Sequence, residues 1–243
     1  MKHRFKRIGN KDMPSYSKNT LICKLNITTL GPILVNKTEL ELKWVEAKYP
    51  EIRGGFYAPT NCRARHKVAV LVPYRNRKRN LIIFLNHMHT FLKKQLLEYR
   101  IFVIEQTGTK KFNKGSLYNV GFLESQRYGD WHCLVFHDVD LLPLDERILY
   151  SCPRKPTHMS SAVESNGYRL QYNQLFGGVT ALTPAQFEAV NGYSNLYWDW
   201  GAEDDDMFIR LQASRFPVLR YGQSIARYAA LPHGNSSRNG MRY

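Results

Sequence analysis

The chain has 243 residues, long enough for one large domain with its own core. Lys and Arg number 35 against 20 Asp and Glu, and the resulting charge of +15 favours an anionic partner: nucleic acid, an acidic membrane surface or a phosphorylated small molecule. No apolar run approaches the roughly 18–20 residues of a membrane span, and the start lacks the apolar centre of a signal peptide, which taken literally points to the cytosol unless the chain is a fragment.

In chain order, residues 1–20 are strongly basic and read as a disordered arm. The following stretch to residue 65 is rich in Lys, Asn, Thr, Pro and Gly, an extended lead-in with one or two short strands. KVAVLVPY (67–74) is a buried strand, and the next segment is an amphipathic helix on Leu81, Phe84, Leu85, Met88, Phe91 and Leu92. His87 and His89 lie two apart on that helix, so they do not share a face and are not a metal pair. RIFVIEQ (100–106) is a strand, GSLYNVGFLESQRY (115–128) a helix, and HCLVFHDVD (132–140) a strand that ends in acid. This alternation predicts an α/β fold with a mainly parallel sheet. Further on come a strand with a double glycine (175–182), a helix started by Thr183, Pro184 and Gln186 as a capping box, and a last helix over 203–215.

Ligands of such sheets bind beyond the carboxyl ends of the strands. There, Asp138 and Asp140 in D-V-D alternate on an extended backbone and can face one point. They either hold Mg²⁺ or Mn²⁺ together with phosphate oxygens or cap a turn. Arg75 and Arg77, with Lys114, either bind a phosphate or are solvated surface cations. WDWGAEDDD (198–206) puts tryptophans beside four acids. A helix start accounts for some of that charge. Aromatic faces next to carboxylates also grip sugars, and a carboxylate there can take a proton from a hydroxyl. Four cysteines without a C-x-x-C pair permit two disulfides or four buried thiols. Sequons at Asn26, Asn36 and Asn235 lean toward a secretory lumen.

Taken together, NCRARHKVAVLVPYRNR, FNKGSLYNVGF, DWHCLVFHDVDLLPLDER, LFGGVTALT and WDWGAEDDDMFIRL resemble the β-1,4-galactosyltransferase family over roughly residues 20–235. The resemblance implies a GT-A nucleotide-sugar transferase fold with a Rossmann-like sheet flanked by helices, as a single domain over 21–243. It implies a type II membrane protein of the Golgi lumen that uses Mn²⁺, with Mg²⁺ as the alternative. The reaction implied is an inverting transfer from UDP-Gal or UDP-GalNAc to the 4-hydroxyl of a terminal GlcNAc or glucose. Carried over by residue, Pro73, Tyr74, Arg75, Arg77, Phe112, Lys114, Asp138, Val139, Leu175, Trp200 and Gly201 meet the donor. Asp140 and His233 hold metal. Glu203 and Asp204 are catalytic, Asp204 as general base. The cysteines pair as Cys23–Cys62 and Cys133–Cys152.

The chain departs from the family pattern at five places. Lys114 replaces an arginine. Ala230 stands where many members place a methionine ligand. Asp199 and Ala202 replace glycines of a mobile tryptophan loop. Leu175 replaces a tyrosine that crowds the donor's C2 substituent, which implies use of UDP-GalNAc. The family's anchor and its C-terminal continuation are missing here, so the chain is expected to be truncated. These departures leave a second reading, a catalytically weakened glycan- or partner-binding protein on the same fold. No nucleic-acid motif accompanies the charge, so nucleic acid is not expected as a partner.

Overall fold

The structure, a computed structural model, describes residues 16–17 and 19–232. Most of the basic start, His233 and Asn235 lie outside the described residues. In chain order the elements are α1 (Leu42–Lys48), β1 (Phe56–Tyr57), β2 (Lys67–Tyr74), α2 (Lys78–Lys94), β3 (Glu98–Glu105), α3 (Lys114–Ser125), β4 (Cys133–His137) and β5 (Leu141–Pro143). Then follow β6 (Thr157–His158), β7 (Ala162–Val163), β8 (Val179–Leu182), α4 (Pro184–Ala189), α5 (Glu203–Ala213), β9 (Leu219–Arg220) and β10 (Arg227–Ala230).

β2 organises the sheet. Its residues Val68 to Val72 are fully buried, which is why the sequence reads as an unbroken apolar run rather than an alternation. The two-residue period nevertheless sorts them. Val68, Val70 and Val72 enter one core with Phe84, Met88 and Phe91 of α2. Ala69 and Leu71 enter a second core with Tyr118 and Phe122 of α3, Phe136 of β4, and Met207 and Leu211 of α5. Both cores therefore depend on one strand held in register, Lys67 opposite Glu98 through Tyr74 opposite Glu105.

The strand order is β1-β3-β2-β4-β8-β6-β9. The sheet is mainly parallel at its centre, with antiparallel pairs added. Pairs β2–β3, β2–β4 and β6–β9 are parallel, whereas β1–β3, β4–β8 and β6–β8 are antiparallel. The physical reason lies after β4: no α-helix separates it from β8, and parallel return needs such a crossover. A small sheet, β5-β10-β7, sets Ala230 opposite Leu141.

The predicted helices and strands form with shorter ends. The 132–140 strand stops at His137, so Asp138 and Asp140 sit in a turn and not on extended backbone. The double glycine likewise precedes β8. Thr183 and Gln186 complete the capping box. His87 bonds the Pro143 carbonyl and His89 the Tyr99 hydroxyl, so the two serve separate places in the core. The lead-in also holds a helix the sequence reading missed: α1 is seven residues long and docks through Val45 and Tyr49 on Ile82, too short for a periodic signal. Disulfides join Cys23 to Cys62 and Cys133 to Cys152.

Phe136 is buried against the rings of Tyr118, Phe187 and Tyr193. Phe136→Ala is expected to cost about 3–5 kcal/mol of stability in a denaturant titration; a loss under about 1 kcal/mol would show that these rings do not carry the second core.

Candidate active site

The parallel strands end on one side of the sheet, and the predicted residues gather there. Arg75, just past β2, donates to the Lys110 carbonyl at 2.6 Å and lies over the Phe112 ring at 5.1 Å. Gln106 donates to the Lys111 carbonyl and accepts from the Asn113 amide, so the loop after β3 is fixed by one side chain. Asn113 then caps α3 by accepting from the Ser116 amide at 2.8 Å, which sets Lys114 at the first turn.

Lys114, Asp138, Asp140, Leu175, Trp200, Gly201, Glu203 and Asp204 line one open cleft of about 710 Å³. Lys114 Nζ stands 2.7 Å from Asp138 Oδ1 and 3.6 Å from Glu203 Oε1. Burial alone would lower the Lys114 pKa, but Asp138, Tyr118 and Glu203 outweigh it and hold the ammonium charged well above its ordinary range. Arg77 reaches Asp140 at 3.5 Å from the β2 end.

The four consecutive acids divide their work. Asp205 accepts from Tyr172 Oη at 2.8 Å, and Asp206 pairs with Arg210 one turn on at 2.6 Å. Glu203 and Asp204 turn into the cleft. Glu203 is 6% exposed, and its Oε2 has no hydrogen-bond partner among the described residues. An orphaned carboxylate oxygen is costly to bury, and this one is closed off from solvent. Asp204 is pushed up to about 7, first by burial and then by the neighbouring Glu203 charge. Its carboxylate packs directly on Gly177, where any Cβ would collide with Oδ2. That contact explains the first glycine of the double pair. The second, Gly178, has φ +78° and abuts Ser160 and Leu141.

The D-V-D turn is held from below. The Asp138 carbonyl accepts from His137 Nδ1 at 2.8 Å, which leaves Nε2 to accept from Tyr150 Oη, itself 3.1 Å from Tyr228 Oη. Burial holds His137 neutral, with its pKa down at about 4. Asp140 presents hard oxygen to the cleft beside Asp138, a donor set that suits a small divalent cation sharing its shell with phosphate. Among the described residues no group of three His, Cys, Asp or Glu side chains is gathered for a metal, and Ala230 on the same wall has no ligating atom. The fit is thus to a cation held in part by its substrate.

The tryptophan loop carries strain. Asp199, Gly201 and Ala202 have φ of +67°, +102° and +79°. Asp199 is tied to the loop after β3, its amide donating to the Phe112 carbonyl at 2.7 Å and its carboxylate paired with Lys111 at 2.8 Å.

Residues 23–153 match the family described as the N-terminal region of glycosyl transferase group 7, and residues 157–234 match the N-terminal domain of galactosyltransferase. The chain is 41% identical to Beta-1,4-galactosyltransferase 4 of Mus musculus over 98% of its length and 71% of that protein. This chain belongs to the β-1,4-galactosyltransferase family. With the Rattus norvegicus protein of the same name it shares 46% identity over 85% of this chain, and it spans 60% of that relative's length. A solved structure of Drosophila β-1,4-galactosyltransferase 7, a mutant in complex with manganese, UDP-Gal and xylobiose, aligns at TM-score 0.62 and 35% identity. That alignment covers 69% of this chain and 71% of the other. The fold is accordingly GT-A.

Not every expected residue of this family member reaches the cleft. The Val139 side chain lies in the core, so its main chain is what it can offer a donor. Pro73, Tyr74, Arg75 and Phe112 stand beside the cleft rather than in its lining. Sequence reasoning missed Lys37, Glu164, Gln171 and Tyr172, which also line the cleft. Lys37 pairs with Glu164 at 2.5 Å from 127 residues away, a separation that leaves no local signal.

Ala202 holds a left-handed conformation that disfavours a Cβ. Ala202→Gly should raise stability by about 1 kcal/mol despite glycine's greater unfolded-state entropy; an unchanged or lower denaturation midpoint would contradict this strain. A carboxyl whose folded pKa exceeds its unfolded value of about 3.9 stabilises the fold below that value and loses the contribution as pH rises to the folded one. For Asp204, at about 7, the window runs from roughly pH 4 to pH 7. Asp204→Asn is therefore expected to stabilise the metal-free protein by about 2–4 kcal/mol more at pH 8 than at pH 4; equal effects at both pH values would contradict the shift.

Proposed function

We propose that residues 21–243 act as one catalytic domain, an inverting and metal-dependent glycosyltransferase. The donor is UDP-Gal or UDP-GalNAc, and the acceptor is the 4-hydroxyl of a terminal GlcNAc or glucose on a glycoconjugate. The observation that carries this reading is the shared cleft of Asp204, whose pKa sits near neutrality, with the Lys114–Asp138 pair and Asp140. Family membership and the manganese and UDP-Gal bound by the Drosophila relative support it.

In this reading Asp204 takes the proton from the acceptor hydroxyl as its oxygen bonds the anomeric carbon. The carbon–oxygen bond to UDP breaks on the opposite face, and UDP leaves with the electron pair. Lys114, which lines the cleft, is the cation assigned to the diphosphate, and Arg75 with Phe112 is assigned to the nucleotide. Glu203 accepts from a sugar hydroxyl. A divalent cation, Mn²⁺ or Mg²⁺, held by Asp140 with His233 would offset the charge on the leaving diphosphate. Asp138 is paired with Lys114 at 2.7 Å and Asp140 with Arg77 at the longer distance of 3.5 Å, and Asp140 is assigned that task by family resemblance. Leu175 lines the cleft without a hydroxyl or ring, which leaves room for an N-acetyl group on the donor. The two disulfides fit an oxidising lumen such as the Golgi. Among the described residues no helix is long and apolar enough to cross a membrane.

The second reading, a glycan- or partner-binding protein with weakened catalysis, draws on Ala230 in the cleft wall. UDP release in the presence of Mn²⁺ and a GlcNAc acceptor separates the two. The enzyme reading expects turnover that Asp204→Asn lowers by at least about 10²-fold; no turnover in either protein favours the binding reading. Turnover should fall as pH drops through about 7, where Asp204 gains its proton. UDP-GalNAc should be used at least as well as UDP-Gal, and Leu175→Tyr should restore a galactose preference; a strong preference for UDP-Gal in the parent chain refutes the Leu175 argument.

A further inference from the structure

The lead-in segment before α1 exposes an unusual amount of apolar surface. Leu21 is 77% exposed, Ile27 67% and Leu34 98%, and Ile22 is also exposed. Single exposed apolar residues need no explanation, but four within fourteen positions make this a strip of the chain rich in exposed apolar side chains. The strip is not loose chain. Cys23 is bonded to Cys62, the Cys23 amide donates to the Arg63 carbonyl, and the Ile33 amide donates to the Leu144 carbonyl. From Ile33 exposure alternates from residue to residue. Ile33, Val35 and Lys37 turn inward, while Leu34, Asn36 and Thr38 turn out.

Two sequons punctuate this strip. Asn26 directly precedes Ile27, and Asn36 shares the outward face of Leu34. Both asparagines and both sequon threonines are exposed. Asn26 Oδ1 accepts from the Thr28 amide at 3.1 Å and from Thr28 Oγ1 at 2.7 Å, and Asn36 Oδ1 accepts from the Thr38 amide at 2.8 Å. In each case the carbonyl half of the amide is engaged and the Nδ2 half faces solvent with no hydrogen bond among the described residues. An attached sugar therefore displaces no contact of the fold. Neither asparagine lines the cleft.

We propose that Asn26 and Asn36 carry N-linked glycans whose bulk covers the apolar strip of Leu21, Ile22, Ile27 and Leu34. The proposal rests on the secretory-lumen part of the functional reading. Its covalent step needs an oligosaccharide carried on a lipid pyrophosphate. Asn Nδ2 bonds the anomeric carbon, the carbon–oxygen bond to pyrophosphate breaks, the lipid pyrophosphate leaves with the electron pair, and the amide proton passes to the transferring enzyme's base. Glycans are bulky and strongly hydrated, so they suit a surface that must stay unpaired.

The test expresses the full chain behind a cleavable secretory leader in cultured eukaryotic cells, in an Asn235→Gln background that removes the remaining sequon. Treatment with an amide-cleaving endoglycosidase should shift its mobility by two steps, with Asn26→Gln and Asn36→Gln each removing one. The double variant should be secreted mainly as aggregate, and adding Ile27→Ser and Leu34→Ser should return it to monomer. Secreted protein with neither step overturns the site assignment. A double variant as monomeric as the parent overturns the shielding role. UDP release measured on the same secreted protein reports the transferase reading independently, because neither asparagine belongs to the cleft.

Discussion

Two adjacent carboxyl groups, the buried Glu203 and the half-buried Asp204, stand at the start of one helix, and the site is arranged around the cost of placing them there. Like charges side by side in a dry environment raise each other's proton affinity. The first turn of α5 offsets part of the penalty through its dipole and free amides. Lys114 offsets more, because it faces Glu203 and Asp138 at once. What remains unbalanced is Asp204, left near neutrality and packed on Gly177. A group poised at that point can accept a proton near physiological pH, which is the property a sugar-transferring base needs.

The fold supplies this arrangement through three separate supports. β2 carries both cores, so its parallel neighbours end together and present their loops to one side. The buried chain His137–Tyr150–Tyr228 holds the D-V-D turn by its carbonyl, leaving the carboxylates to the cleft. The small sheet brings β10 alongside, with the Leu231 amide bonded to the Asp140 carbonyl at 2.8 Å. The wall that includes Ala230 is thus fixed against the acidic turn by main-chain contacts that do not depend on the side chain at 230.

Much of this was legible in the sequence because the signals are local. The apolar run of β2, the helical spacing of α2, the Thr183 capping box and the acids of α5 each act within a few residues. The candidate cleft residues were legible through motif resemblance, and most of them do meet. What escaped is what depends on distance or on the turn actually taken. Asp138 and Asp140 do converge, but from a turn rather than from the alternation of a strand. The antiparallel return at β8 goes with the lack of a crossover helix between β4 and β8, a local exception within the mainly parallel sheet. Val139 reads as part of the motif yet serves the core, since a β-branched residue between two acids finds apolar neighbours beneath the turn. Lys37 and Glu164 meet in the cleft lining from 127 residues apart, and no spacing rule connects them.

The central claim is that Asp140 and a donor diphosphate share a divalent cation in the cleft that holds Asp204. Calorimetric titration of UDP into the protein with and without Mn²⁺ addresses it most directly, on the parent chain and on Asp140→Asn and Asp204→Asn. The account predicts manganese-dependent binding that Asp140→Asn abolishes and Asp204→Asn retains. Equal UDP binding by the parent and Asp140→Asn, or binding indifferent to manganese, would contradict it.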